Sequence, residues 1–164
     1  MLKTILMALL ICILEFLVIV IASPLAKPSL VLSFLPKDIR EKGKSHPEPS
    51  VWKQLIGHFL LIVMVFCYLF GFIYVGKNAL QDGCGYWQIT LRYLVMLYVI
   101  KAFDIIVQDQ WLVMTSGYYK KLYPETADCA GWKDRSFNTK NQIKRLILFP
   151  FAAMLTGGIV LLFK

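Results

Sequence analysis

Charge is scarce in this chain. Of its 164 residues only 17% are Asp, Glu, Lys or Arg, against about a quarter in an ordinary soluble domain. Hydrophobic residues make up 58%, and mean hydropathy is +0.62. A core of this size cannot hide so much apolar surface from water, which excludes a soluble globular enzyme and a disordered tail. Histidine and cysteine are sparse too, at two and four. No pair is spaced C-x-x-C, so a thioredoxin-like or structural zinc site is excluded. A disulfide framework fails as well: Cys12 and Cys67 fall in apolar runs, and Cys84 and Cys129 are expected on opposite sides of a membrane. There is no H-E-x-x-H, no Gly-rich phosphate loop and no Ser nucleophile elbow. No metal, haem or nucleotide cofactor is implied, and no catalytic residue is assigned.

What is present is long apolar runs. A helix needs about 20 apolar residues to cross a hydrocarbon core. Four stretches qualify: 5–21, 55–75, 86 to at least 107, and 146–163. Open strands leave backbone groups unsatisfied in lipid, and a barrel would show alternation in segments of about 10 residues. The expected fold is therefore all-α, one integral membrane bundle of four transmembrane helices, with loops at 24–54 and 109–145. The first run resembles a secretory signal in length. Glu15 in its middle and the exit Ala22-Ser23-Pro24 argue for a retained helix. The third has two possible ends, one near Gln108 and one near Thr115 before Gly117.

The basic residues are unevenly spread. Lys27, Lys37, Arg40, Lys42, Lys44 and Lys53 lie in the first loop region, and Lys120, Lys121, Lys133, Arg135, Lys140, Lys144 and Arg145 in the third. Together they are 13 of the 18. Four helices put both loops on one side, which the positive-inside rule makes cytoplasmic, with both termini outside. Trp52 and Trp87 fall at helix ends, where an amphipathic ring suits the interface. Acidic residues interleave with the basic ones and no nucleic-acid-binding fold is available, so membrane lipid is the expected partner, with a membrane-protein partner or a second copy as further options. The apolar, Pro-broken stretch 24–35 is expected along the interface or folded back into the bundle. Tyr118, Tyr119, Tyr123, Trp132 and Phe137 are expected to pack on the membrane surface or cap the bundle.

Ionisable residues inside the spans cost about 2.5–3.5 kcal/mol on insertion scales, so they face the interior and find partners. Glu15, His58, Lys101 and Asp104 are the candidate ligand- or ion-binding residues, because all four map to the cytoplasmic half. Lys101, Asp104 and Gln108 share one helical face at i, i+3 and i+7. A self-neutralising local pair accounts for Lys101 and Asp104. A polar site completed by Glu15 and His58 accounts for all four. Arg92 is turned away and is expected to snorkel outward. Pro150 should disturb the last helix, and Ala153 with Gly157 makes a small-residue face for close packing, more readily within the chain than between copies.

The run Tyr86-Trp87-Gln88-Ile89, Leu91-Arg92-Tyr93, Met96-Leu97-Tyr98 and Lys101-Ala102-Phe103-Asp104-Ile105-Ile106, with Tyr123-Pro124-Glu125-Thr126 later, resembles small four-helix membrane proteins of Gram-positive bacteria that carry no assigned activity. The resemblance spans most of 36–160 and implies a bacterial plasma membrane. Three functions are compatible with these features: binding or moving a small ion, proton or lipid-like ligand at a buried polar site; a non-catalytic accessory subunit of a membrane complex; and a lipid-modifying enzyme at the cytoplasmic interface using Asp104 and Asp109.

Overall fold

The computed structural model describes residues Met1–Lys164 and contains no strand. Helix α1 covers Leu2–Ala22. No Gly or Pro interrupts it, and it stops where Ser23 turns its hydroxyl onto the Ile19 carbonyl (2.6 Å) just before Pro24. After short helices α2 (Pro28–Leu32) and α3 (Lys37–Lys42) comes α4, Val51–Gln81. A turn through Gly83, at φ +66°, leads to α5, Tyr86–Phe103. The Gln88 side chain accepts from the Gly85 amide at 3.0 Å and so caps its start. Without a break α5 runs into a π-helical segment, Asp104–Val113, which Gly117 (φ +71°) then ends. Helix α6 is Tyr118–Leu122 and α7 is Thr139–Leu161.

Helices α1, α4 and α7 are long and apolar enough to cross a membrane. The third expected span is long enough but is less apolar, because α5 carries Gln88, Arg92 and Lys101. Its position explains that composition. It packs against α1, α4 and α7, which bury Arg92 and Lys101, while Gln88 lies exposed at its capped start. Helices α4 and α7 also start before the apolar runs that announce them, since their polar first turns wind as helix while contributing little hydropathy. Of the two ends open to the third span the longer is closer: the helix runs to Val113 in π form.

Close backbone approach and tyrosine hydroxyls hold α5 in place. A Cβ on Gly157 would sit 2.5 Å from Thr90 Oγ1, so the Ala153–Gly157 face is used within the chain, against α5. Tyr93, 1% exposed, donates to the Phe72 carbonyl at 2.8 Å and stacks on the Phe72 ring. Tyr98 donates to the Leu146 carbonyl at 3.2 Å. That carbonyl is the one that Pro150, lacking an N–H, leaves without a helical partner. The outer faces remain apolar: Leu9, Phe59, Phe66, Phe70, Leu148, Phe151 and Leu155 are all exposed.

The two basic loops do not trail in solvent. They pack on each other as a cap with its own core of Leu32, Leu35, Ile39, Leu112, Tyr119, Tyr123 and Trp132. Gly131 donates its amide to Asp38 at 2.7 Å, and His46 meets Glu125 at 3.0 Å. Lys42 pairs with Asp128. The hydroxyls of Tyr118 and Tyr119 reach the end of α1, at Val20 O (2.6 Å) and Ser23 (3.1 Å). Burial, with Tyr119 alongside, pushes the Tyr118 phenol up to about 12. The 24–35 stretch thus folds back into the structure, and the loop aromatics close one end of the bundle.

Candidate ligand-binding site

The chain enters its own interior with charge at two levels. Near the turn between α4 and α5, Arg92 is buried and its Nη2 donates to Asp82 at 2.7 Å. It does not snorkel outward. The turn brings an acceptor within reach, and pairing it satisfies the guanidinium where it stands. That hydrogen bond holds the Asp82 carboxyl below the usual range. Nearby, Lys3 donates to Asn78 at 3.1 Å.

The second level lies under the cap. Lys101 is 4% exposed and pairs with Asp104. Beside them Gln142 of α7 donates to Asp109, which also accepts from Asn138 at 3.0 Å. Gln142 lies 3.5 Å from Asp104 as well. Asp109 joins this network because of the π winding. Bonds of the i→i+5 type stack residues five apart, so Asp109 stands one turn above Asp104. The Met114 N–H to Asp109 carbonyl bond (3.3 Å) shows the same spacing.

A cavity of about 1300 Å³ opens next to this network. Its floor includes Glu15, Tyr68, Asp104, Gln108 and Asp109, its walls Val18, Leu61, Met64 and Val65, and its rim Lys37, Arg40 and Arg145. Phe34 and Val65 line it and are 71% and 58% exposed, and Lys37, Arg40, Glu41 and Arg145 line it exposed as well, so it opens where the apolar surface meets the charged cap. Two polar atoms on the floor are buried and have no partner: Glu15 Oε2 and Gln108 Nε2. They belong to neighbouring side chains, with the Tyr68 hydroxyl also close to Glu15.

Three of the four residues expected to form a site are therefore together: Glu15, Lys101 and Asp104. His58 is not with them. It lies exposed on α4, with Nδ1 2.6 Å from the Gln54 carbonyl. Gln142, Asn138 and Tyr68 belong to the site without having been assigned to it, and Asp109, expected only in the lipid-modifying alternative, joins them. The five-residue spacing of Asp104 and Asp109 is the signal that points to Asp109, but only once π winding is known. All four cysteines are free, and no cluster of three metal-ligating side chains exists. No family model, curated protein or solved structure matches the chain.

Proposed function

We propose that the chain is a four-span protein of a bacterial plasma membrane, with the cap in the cytoplasm and both termini outside. In this reading it binds a small lipid-like ligand, whose polar end rests on the Glu15, Gln108 and Asp104 floor. The observation that carries the reading is the cavity: apolar walls, a mouth where the apolar surface meets the cap and a polar floor deep in the bundle are the usual anatomy of a small-molecule pocket. The distribution of basic residues supports the orientation. The shielding of α5 by three neighbours supports its counting as a span despite its polar content.

Passage of an ion or proton is the second reading, favoured by the three carboxylates on the floor. Beyond Glu15, however, Ile11, Met96, Tyr93 and Val75 are at most 1% exposed. That packed layer favours binding over conduction. An accessory subunit without chemistry has no use for a cavity with orphaned floor atoms, although a partner could cover the exposed apolar faces.

Native mass spectrometry of protein extracted in mild detergent tests the proposal. The wild type is expected to retain a membrane lipid, and Met64→Trp, which places an indole in the cavity, to lose it with helicity unchanged. Equal lipid retention by both forms would favour the accessory reading. Proton flux in proteoliposomes that is abolished by Glu15→Gln would favour the conducting one.

A further inference from the structure

Resting on the lipid-binding reading, we infer that the site selects an uncharged, hydroxyl-bearing headgroup, such as a glycerol or sugar, over a phosphate, a carboxylate or an ammonium. The selecting feature is the unpartnered pair on the cavity floor. Gln108 is 7% exposed, lines the cavity, and its Nε2 has no hydrogen-bond partner. Glu15 Oε2 beside it is likewise buried without a well-formed hydrogen bond, with the Gln108 amide and the Tyr68 hydroxyl close to the carboxyl. Buried polar atoms without partners are rare because each forfeits its hydration. Here one is a donor and the other an acceptor.

The headgroup follows from what satisfies both. A hydroxyl donates its proton to Glu15 and accepts from Gln108 through a lone pair. An ammonium has only donors, so Gln108 would have to turn its amide oxygen inward to meet it, whereas a hydroxyl is met with the amide as it stands. A phosphate or carboxylate has only acceptors when ionised and would face Glu15, Asp104 and Asp109 together. The one cation beside the floor, Lys101, is already engaged by Asp104, and Lys37, Arg40 and Arg145 stand at the rim, away from the floor pair. The other floor carboxylates are no more available, since Asp109 is held by Asn138 and Gln142. Glu15, Gln108 and the neighbouring Tyr68 hydroxyl are the floor groups left for a ligand. The apolar walls, with the exposed Phe34 and Val65 at the opening, suit a hydrocarbon chain and favour a source in the membrane.

Three probes with one oleoyl chain and different heads separate these cases in phosphatidylcholine nanodiscs: monooleoylglycerol, oleylamine and oleic acid. Free glycerol is the fourth arm. Occupancy is read by native mass spectrometry. Monooleoylglycerol is expected to bind about tenfold or more tighter than the other two, the equivalent of one well-made buried hydrogen bond. Gln108→Leu should erase that preference. Gln108→Glu, close in shape, should turn it towards oleylamine by making both floor atoms acceptors. If oleylamine or oleic acid binds best to the wild type, the headgroup assignment is wrong while the lipid-binding reading stands. If no chain binds, the reading beneath it falls too. Free glycerol binding as tightly as monooleoylglycerol would keep the hydroxyl chemistry and overturn the membrane source. The wild-type ranking requires no variant to fold.

Discussion

Helix α5 carries a buried cation near each of its ends, and the two are handled differently. Arg92 meets one carboxylate, Asp82, on a half-exposed turn, and that ion pair is closed on itself, although the Thr90 hydroxyl two residues away is buried without a partner. Lys101 meets Asp104 in a region where carboxylates outnumber cations, two floor atoms stay unpartnered, and a cavity lies alongside. The first is an ion pair that fixes how a helix enters its turn. The second has capacity left over. A charge inside an apolar bundle thus marks a site only when its surroundings are unbalanced, and a paired charge by itself marks architecture.

The contrast is sharpest under substitution. Lys101→Met leaves Asp104 without its cation among other carboxylates and is expected to cost about 3–5 kcal/mol, read as unfolding in mixed micelles. Adding Asp104→Leu should recover most of it. Recovery that fails would mean that Lys101 supports more than this pair. Gly131→Ala attacks the cap over the same level, since the new methyl meets Asp38 and lies 2.7 Å from Pro36 Cβ. A loss of about 1–3 kcal/mol from overpacking is expected, with faster proteolysis at 114–138 than in α4. Tyr98→Phe falls between the two levels and orphans the Leu146 carbonyl. About 1 kcal/mol is expected, the net worth of a typical intramolecular hydrogen bond. No change would mean that the carbonyl finds another donor.

The smallest effect belongs to the closed level and concerns pH. Asp82 is held below its ordinary value of 3.8 by the Arg92 hydrogen bond. A depressed carboxyl contributes stability above its unfolded-state pKa and loses it as pH falls through the folded one. The contribution is therefore complete at neutral pH and fades only below about pH 4. Asp82→Asn should flatten that acid limb of the stability curve and leave the proposed lipid binding under the cap unchanged. A binding defect in this variant would show that the two levels communicate.

Much of the fold was legible because apolar length and loop charge are properties of composition along the chain. The runs that became α1, α4 and α7, and the common side of the two basic loops, needed no tertiary knowledge. Legibility stopped where partners decide. Arg92 reads as a snorkelling residue until a turn delivers Asp82, and His58 reads as a site member until the facing of α4 is known. The cap was visible only as a surplus of aromatic rings in a loop, which says that they pack and not on what. The site divides the same way: Lys101, Asp104 and Gln108 show their shared face in α-helical spacing, while the partners from α7 belong to a helix pairing that no local pattern encodes.

The π winding of 104–113 has a further consequence. Wound as an α-helix at about 100° per residue, five residues would carry Asp109 about 140° past Asp104. Its carboxylate would swing away from Asn138 and Gln142. The number of negative charges presented to the cavity is thus set by backbone hydrogen-bond register, a quantity that no side-chain substitution in the pocket would reveal.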